Sequence, residues 1–269
     1  MCAGYYSYKS GHKPIFKGSE DFVGQIIHPQ EWNSTIDYEN KKVAVIGSGA
    51  TAVTLVPQIA KKASHVTMIQ RSPTYIASVP SKYKILHLLN YISPKFGYKI
   101  IRFTNILRQR RIYRRARRSP ELVKDYLLGL VRDELPDFDI EKHFTPSYNP
   151  WEQRLCLAPD SDFFESIKQK RVSIETETID SFSEKGVQLD SGKLIEADII
   201  VTATGIKLQN FGGIRIFVDE NEIDISKSFI YKSMMYTQIP NFINTFGYIN
   251  ASWTLKADLT SKYACRLIN

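Results

Sequence analysis

Small residues at positions 47, 49 and 52 form a turn that could hold a phosphate-containing ligand. The turn reads G-x-G-x-x-A and joins a short apolar run, Val43 to Ile46, to a predicted helix over residues 50–62. The first glycine permits a tight bend, the second leaves bare backbone for a pyrophosphate, and the third small residue lets helix and strand pack closely. Unpaired N–H groups at the helix start favour an anion. The predicted nucleotide-binding residues are Gly47, Ser48, Gly49, Ala50, Thr51 and Ala52.

The end of the next apolar run, Val66 to Ile69, indicates which nucleotide binds. A site specific for NAD usually has Asp or Glu at this point to bind the ribose hydroxyls. This sequence has Gln70, Arg71 and Ser72 instead. The planar guanidinium of Arg71 suits a 2′-phosphate, and a solvated surface arginine is the alternative. NADP(H) is therefore the predicted coenzyme.

The elements that must position this turn are those of an α/β protein. Buried strands are predicted over 43–46 and 66–69, as in a parallel sheet. A helical stretch is predicted over about 82–135, and a short helix over 162–170. Turn signals at Lys185-Gly186 and at residues 190–192 then predict a small antiparallel meander that leads into a buried strand, 199–202. The fold expected is a Rossmann-like NADP-binding domain with this meander and a helical insertion over about 80–150.

A strongly basic run, RQRRIYRRARR at residues 108–118, lies within the helical stretch. Such a run can mark nucleic acid or an anionic membrane surface. Apolar residues interleave with the arginines, as on an amphipathic helix with a solvated face, and nearby acids could offset the charge. The structural interpretation is favoured, peripheral membrane contact is second, and no nucleic-acid partner is predicted. The interleaved apolar residues are Ile101, Ile106, Leu107 and Ile112, and the acids are Glu121, Asp125, Asp133 and Glu134.

Composition places the chain among ordinary globular proteins. It has 269 residues, 43% hydrophobic and 24% charged, with a net charge of +8, which allows one large domain or two small ones. No apolar run is long enough for a membrane span, and no signal segment opens the chain. The three cysteines form no C-x-x-C pair and the five histidines are scattered. A cytoplasmic location and no metal site are therefore expected.

Upstream of the glycine turn, the stretch FVGQIIHPQEW has a spacing typical of one enzyme family. Phe22, Gly24, His28 and Trp32 give F-x-G-x-x-x-H-x-x-x-W, which resembles the fingerprint of Baeyer–Villiger monooxygenases, flavoproteins related to the flavin-containing monooxygenases. Asn33 departs from the Pro or Asp that usually follows. The stretch DIIVTATG, 198–205, resembles the family's link from the NADPH domain back to the FAD domain. Residues 240–259 resemble a late FAD-domain segment, and the overall pattern is most similar to the ethionamide-activating type.

This resemblance implies an FAD- and NADPH-dependent monooxygenase. Such an enzyme uses dioxygen to convert ketones to esters or sulfides to sulfoxides through a flavin peroxide. The resemblance gives Arg154, in the stretch PWEQRLC, the catalytic role of stabilising that anion. An ion pair with Glu152 or Asp160 is the alternative. It also implies that Thr204 and Gly205 contact cofactor at the crossing between domains, and that His28 couples the domains.

The domain organisation implied is that of a partial chain. Residues 1–35 would be a linker and the end of an FAD domain carrying the fingerprint. Residues 36–205 would form the NADP(H)-binding domain, and 206–269 part of an FAD-binding Rossmann-like domain. Gly47-x-Gly49 is the only G-x-G in the sequence, so the turn that binds the FAD pyrophosphate is expected to be missing. Weak FAD binding by this chain alone is expected.

Two other functions stay open on the sequence. One is another two-nucleotide flavoprotein, such as a disulfide reductase or an amine N-hydroxylase, although the lack of C-x-x-C argues against disulfide chemistry. The other is a non-catalytic NADP-binding or membrane-docking module. No residue pattern identifies the ketone or sulfide substrate or the oligomeric state.

Overall fold

The chain divides into two compact units. The computed structural model describes residues 1–82, 93–248 and 251–269. The larger unit is His12–Gly205, and the smaller one combines Met1–Gly11 with Ile206–Asn269. Residues 12–35, which the sequence pattern groups with a linker, pack within the larger unit.

The helices and strands are named here in chain order. The helices are α1 (Ala50–Ile59), α2 (Pro94–Arg118), α3 (Pro120–Glu134), α4 (Ile140–Phe144), α5 (Asp162–Lys168) and α6 (Trp253–Ile268). The strands are β1 (Tyr6–Gly11), β2 (Gln25–Ile27), β3 (Lys42–Ile46), β4 (His65–Gln70), β5 (Tyr75–Val79), β6 (Leu155–Pro159), β7 (Val172–Thr176), β8 (Ile179–Ser183), β9 (Gly186–Leu189), β10 (Leu194–Glu196), β11 (Ile199–Thr202), β12 (Ile206–Leu208), β13 (Phe217–Val218), β14 (Asn221–Glu222), β15 (Ile230–Tyr231) and β16 (Met235–Tyr236).

A five-stranded parallel sheet forms the centre of the larger unit, in the order β2-β11-β3-β4-β7. Strand β3 pairs with β11 on one side and β4 on the other, so that Val45 lies opposite both Val201 and Met68. The chain proceeds from β3 outward to β4 and β7, then returns to place β11 on the opposite side of β3. The strand order therefore reverses between β3 and β11, and the predicted α/β class is confirmed.

The two faces of this sheet are covered by different kinds of structure. Val43 and Val45 of β3 face one core with the apolar sides of α1, α3 and α5, whereas Ala44 and Ile46 face a second core. This alternation follows from the two-residue period of a strand. The second core includes Val187, Leu189 and Ile195, from the antiparallel sheet β8-β9-β10. The predicted meander therefore covers one face of the parallel sheet, and helices cover the other.

Helix α1 buries the face that the sequence predicts. Val53, Val56, Ile59 and Ala60 are at most 3% exposed. The predicted end at residue 62 is wrong by three residues, because α1 ends at Ile59. The chain then tightens into a turn in which the amide of Lys62 donates to the carbonyl of Ile59 at 3.1 Å.

The helical insertion lies between β5 and β6, which pair with each other in parallel. Helix α3 buries Val123, Leu127 and Val131, but α2 buries only Gly97 and Ala116. The part of the predicted helical stretch over 83–92 lies outside the described residues. The expected charge compensation is wrong for Glu134, which binds Lys168 at 2.6 Å. Among described residues, no ion pair joins Glu121, Asp125 or Asp133 to the basic run.

The smaller unit is held together largely by aromatic contacts. Strands β1 and β12 pair antiparallel, and two short hairpins, β13-β14 and β15-β16, follow. The ring of Tyr5 stacks on Trp253 of α6 with centroids 4.8 Å apart. Phe211 packs edge-on against Tyr236 and Phe242 at 5.4 and 5.6 Å.

Candidate nucleotide-binding site at the carboxyl edge of the sheet

The predicted cofactor residues follow three neighbouring strands at the point where each strand ends. The glycine turn follows β3, Arg71 and Ser72 follow β4, and Thr204 and Gly205 follow β11. These three strands are adjacent and parallel, so their carboxyl ends meet at one edge. The strand order reverses there, and α/β sheets bind ligands in the crevice outside such a reversal.

The first glycine of the turn is required by a close approach of two backbones. Gly47 has φ +130°, which side chains rarely adopt, and its amide donates to the carbonyl of Ile69 at 2.8 Å. A Cβ at residue 47 would lie 2.5 Å from the carbonyl oxygen of Ala203. The turn after β3 is thus packed directly against the chain that leaves β11.

The second glycine faces open space. Gly49 has φ −79°, which any residue can adopt, and a Cβ there would meet no atom within 4 Å. Gly49 precedes α1, whose first amides have no carbonyl partner within the helix. Ala50 and Thr51 are exposed, while Ala52 is fully buried. The geometry leaves a cradle beside bare backbone and a helix N-terminus, as a bound pyrophosphate needs.

The residues at the end of β4 divide into an exposed and a buried group. The hydroxyl of Ser48 donates to the carbonyl of Ser72 at 3.2 Å, which ties the two loops together and leaves Arg71 exposed beside them. Gln70 is 2% exposed, and its amide nitrogen donates to the His143 carbonyl and the Thr176 hydroxyl, both at 2.8 Å. The side-chain amide of Gln70 therefore holds the end of β4 from the protein interior, whereas the sequence pattern predicts that it contacts the cofactor.

The chain after β11 is anchored through His28. The Nδ1 atom of His28 accepts from the amide of Gln30 at 3.2 Å, so the ring hydrogen lies on Nε2, which donates to the Gly205 carbonyl at 3.0 Å. The hydroxyl of Thr204 donates to the His12 carbonyl at 2.6 Å. Both nitrogens of this buried ring are used in holding backbone, which gives His28 a positioning role.

The other three fingerprint residues also have structural partners. Phe22 is buried in the core between the parallel sheet and the meander, and Trp32 packs at the edge of the opposite core, edge-on to Tyr38 with centroids 5.6 Å apart. A Cβ on Gly24 would collide with the carbonyl of Asp198 and with the Phe22 ring. The fingerprint thus joins β2 to both faces of the sheet.

Arg154 lies on an exposed segment just before β6. No ion pair between described residues involves its side chain: Glu152 pairs with Arg117 at 3.9 Å, and Asp160 accepts from Ser81. The alternative ion pair with Glu152 or Asp160 is therefore wrong for the part of the chain described. The backbone is fixed, because the Tyr148 hydroxyl donates to the Arg154 carbonyl at 3.0 Å. Arg154 therefore has an anchored backbone and an exposed cationic side chain.

A tyrosine network holding this segment is not predicted by the sequence pattern. The hydroxyls of Tyr148 and Thr74 lie 3.0 Å apart, and the hydroxyl of Tyr75 donates to the Tyr148 carbonyl at 2.7 Å. Burial raises the pKa of Tyr75 to about 12. The partners are about 73 residues apart in the chain, and no local spacing indicates such a pairing.

Two further side chains lie near the strand ends, and no motif in the sequence indicates them. The Cys156 thiol lies 4.0 Å from the Ser48 carbonyl, and burial raises its pKa while the charge of Arg154 opposes that shift. His143 shares a hydrogen bond with the Thr176 hydroxyl at 2.8 Å, and burial lowers the pKa of this imidazole. Both belong to the support of the strand ends.

The described ranges contain neither a metal-binding cluster nor a membrane-spanning helix. There, no three His, Cys, Asp or Glu side chains cluster closely enough to hold a metal ion. Within the same ranges, no helix combines the length and apolar character required to cross a bilayer.

The fold and this edge define an α/β protein with a glycine-rich turn at the reversal point of a parallel sheet. The family model described as flavin-binding monooxygenase-like matches residues 1–107. The chain is 50% identical over 272 aligned residues to the FAD-containing monooxygenase EthA of Mycobacterium tuberculosis. These similarities to flavin-binding monooxygenases confirm the resemblance seen in the sequence.

The similarity extends over the whole chain but only part of each relative. The match to EthA covers 100% of this chain and 56% of EthA. The probable FAD-binding monooxygenase AlmA of Acinetobacter baylyi is 48% identical over 270 residues, covering 100% of this chain and 54% of AlmA. The chain thus spans slightly more than half the length of these relatives.

Solved structures of more distant proteins share the fold. A complex of OTEMO with FAD and NADP superposes with a TM-score of 0.72 at 18% identity, covering 99% of this chain and 59% of the other. An open structure of cyclohexanone monooxygenase also gives 0.72, at 20% identity, covering 99% and 62%. At these identities the likeness shows the fold alone.

We expect Gly24→Ala to destabilise the larger unit by about 1–3 kcal/mol, because the added methyl group collides with the backbone of Asp198. Urea unfolding followed by circular dichroism measures the change. Gly129→Ala is the matched control: residue 129 lies inside α3 with no neighbouring atom within 4 Å of the added Cβ. Alanine in a helix should raise stability there by about 0.5–1 kcal/mol. An unchanged unfolding midpoint for Gly24→Ala would show that the backbone shifts to accommodate the methyl group, and the prediction would be wrong.

Proposed function

We propose that this chain is the NADP(H)-binding part of an FAD- and NADPH-dependent monooxygenase of the Baeyer–Villiger type. The observation that carries the proposal is the open cradle at Gly49, at the point where the strand order of the sheet reverses. The FAD-containing and FAD-binding monooxygenases EthA and AlmA, which match the whole chain, support it. The proposed reaction uses dioxygen to convert a ketone to an ester or a sulfide to a sulfoxide.

In this proposal the turn after β3 binds the pyrophosphate of NADP(H). The amides of Gly49 and of the first α1 residues, Ala50 and Thr51, donate to the phosphate oxygens, and the positive end of the helix dipole adds attraction. Ser48 contributes by fixing the loop to Ser72 at 3.2 Å. Thr204 and Gly205 contribute backbone at the opposite wall of the crevice. The larger unit, 12–205, is then the coenzyme domain, and the smaller unit is part of the FAD-binding domain.

Arg71 selects NADP(H) over NAD(H). Its exposed side chain follows β4, where the adenosine ribose lies in α/β dinucleotide sites. No ion pair between described residues occupies the guanidinium, so its planar fork is free to bind a 2′-phosphate.

FAD would be bound mainly by residues other than this cradle, since the sequence holds one G-x-G turn and one turn binds one dinucleotide. When bound, FAD supplies the redox chemistry between NADPH and dioxygen. In this chain, Arg154 provides a permanent positive charge for the negative charge that develops on oxygen. Its carbonyl is anchored by Tyr148, and a preorganised cation needs little rearrangement as charge develops.

The expected cellular setting is the reducing cytoplasm, since Cys2, Cys156 and Cys265 are all free thiols. A small-molecule ketone or sulfide is the proposed substrate. The matched relatives are monooxygenases by name, which favours this function over a disulfide reductase or a non-catalytic module.

Replacing Gly49 by valine tests the cradle. A Cβ at residue 49 would meet no atom within 4 Å in the free protein, so stability should fall only by about 1 kcal/mol, the cost of a poor residue at a helix N-cap. NADPH binding should weaken roughly a hundredfold or more, because the side chain displaces phosphate oxygens from two backbone donors, each contributing about 1.5–3 kcal/mol. Isothermal titration calorimetry measures the affinity.

The contrasting variant is Gly47→Ala. Its methyl group would meet the Ala203 carbonyl at 2.5 Å, so it should lose both stability and coenzyme affinity. Undiminished NADPH binding by a folded Gly49→Val variant would exclude the turn as the pyrophosphate site.

Replacing Arg71 by alanine tests coenzyme selection. The preference for NADPH over NADH should fall roughly ten- to a hundredfold, as expected for a lost charge-assisted hydrogen bond worth about 1.5–3 kcal/mol. Fluorescence titration with both coenzymes gives the ratio. Arg71→Lys keeps the charge but loses the fork and should fall between, and exposed Arg111→Ala should match the parent protein. Equal weakening for both coenzymes would remove Arg71 from the phosphate site.

Replacing Arg154 by alanine tests the catalytic proposal, in the natural protein that contains this sequence and with FAD supplied. Product formation should drop about a hundred- to a thousandfold, the cost of losing one preorganised stabiliser of a developing anion. The dissociation constant for NADPH should change little. Coupled measurements of NADPH consumption and of product by gas chromatography separate the two effects.

The matched control is Arg117→Ala, an exposed arginine that pairs at 3.9 Å with Glu152 on the same segment as Arg154. It should retain the parent rate. If Arg154→Ala and Arg117→Ala form product at the same rate, Arg154 is not a catalytic residue.

A further inference from the structure

Helix α2 presents a continuous surface of bulky apolar side chains to solvent. Phe96, Phe103, Ile106 and Tyr113 are 54, 62, 40 and 40% exposed. Their spacing of seven, three and seven residues places them within about 100° of the helix circumference, at 100° per residue. We call these four residues the exposed stripe. Burying such side chains is favourable, so a stripe left open on a helix indicates a binding surface.

Cations lie within the stripe itself. Lys99, Arg110 and Arg114 fall in the same arc, and all three are exposed. The whole of α2 has ten Lys and Arg and no Asp or Glu. Helix α2 therefore carries a charge of +10 over 25 residues, whereas the complete chain carries +8 over 269 residues.

The arc of the stripe lies opposite the buried side of α2. The buried positions of α2 are Gly97 and Ala116, which lie outside the arc of the stripe. Near the end of α2, Arg117 lies 3.9 Å from Glu152, and both side chains are about half exposed. In the described part of the chain, no ion pair joins the four acids expected to offset the charge to the basic run. Lys99, Arg110 and Arg114 are exposed and therefore accessible to an external anion.

Apolar and cationic side chains on one helix face suit an anionic lipid surface. The aromatic and aliphatic groups enter the boundary between headgroups and acyl chains, while the cations contact lipid phosphates. A nucleic acid would satisfy the cations, but it would leave Ile106 and most of the apolar area in water. A helix with cations and bulky apolar groups on the same arc thus favours lipid over nucleic acid.

We propose that α2 docks this protein on anionic membrane surfaces through Phe96, Phe103, Ile106 and Tyr113, with Lys99, Arg110 and Arg114 binding lipid phosphate groups. The contact lies along the full length of α2 rather than in the arginine run 108–118 alone. It is peripheral, with the helix lying in the interface. The inference is independent of the proposed reaction.

Co-sedimentation with vesicles tests the proposal. The protein should bind vesicles of mixed phosphatidylglycerol and phosphatidylcholine and should not bind phosphatidylcholine alone. Raising ionic strength from about 0.1 to 1 M shortens the screening length from about 10 to 3 Å and should weaken binding more than tenfold. Binding to neutral vesicles with equal affinity would overturn the electrostatic part of the proposal.

Two variants separate charge from insertion. The double variant Arg110→Glu/Arg114→Glu should lose at least about 25-fold in partitioning, since each cation near an anionic surface contributes about fivefold. Phe103→Ala keeps every charge and should still lose about tenfold through its smaller buried apolar area. Circular dichroism should show both folded, because these side chains are exposed.

The matched control is Lys61→Glu/Lys185→Glu, which makes the same change in net charge on exposed residues outside α2 and should lose little. Equal losses of vesicle binding in the two double variants would show that binding depends only on net charge, and the proposal of a docking face on α2 would be wrong. Competition with single-stranded RNA distinguishes nucleic acid: tight RNA binding that Phe103→Ala leaves unchanged, with no vesicle binding, would overturn the proposal. Self-association abolished by Phe103→Ala, again without vesicle binding, would assign the stripe to a second copy.

Discussion

The carbonyl oxygen of Ala203 lies where a side chain on residue 47 would have to be, 2.5 Å from the position of its Cβ. This approach is possible because β3 and β11 are hydrogen-bonded neighbours, and because the chain at Gly47 bends through a backbone conformation with positive φ. The bend directs the following residues across the end of the sheet and into α1. The open space at Gly49 and the unpaired amides of the helix start both depend on that bend. Without this bend, the loops that follow β3, β4 and β11 would not come together into one site.

The fingerprint residues secure the same region from the other side. Phe22 and Gly24 fix β2 to the meander face and to Asp198, and His28 holds the last carbonyl of the larger unit at 3.0 Å. Trp32 packs at the edge of the helix-covered core. A short motif thus contacts both faces of the sheet and the exit from β11. Its relation to function is positional, because each side chain is used for packing or for holding backbone.

The cations of this protein fall into distinct physical classes. Lys42 and Lys168 form short ion pairs at 2.6 Å, and such pairs raise the pKa of each lysine by hydrogen bonding to a carboxylate. Arg71 and Arg154 are exposed and have no ion-pair partner among described residues, although their backbones are fixed by neighbouring structure. Surface cations of this kind are poor contributors to stability. Their exposure without an ion-pair partner agrees with the roles proposed for them in binding anionic groups.

The sequence determined the elements around the glycine turn, the buried face of α1, the meander and the resemblance to flavin-binding monooxygenases, because these depend on local spacing and local backbone chemistry. Apolar alternation, turn residues and glycines are readable over windows of a few residues. The tertiary structure decided which side chains surround the site. Gln70 occupies a place where local order suggests a cofactor contact, yet its amide is used by His143 and Thr176. Tyr148 hydrogen-bonds with Thr74 and Tyr75, more than 70 residues earlier in the chain, and no local spacing indicates these contacts. The same applies to the acids that follow α2 in the sequence: Glu134 pairs with Lys168 instead of the basic run. Such pairings are set by how strands and helices pack, so only the folded chain fixes them.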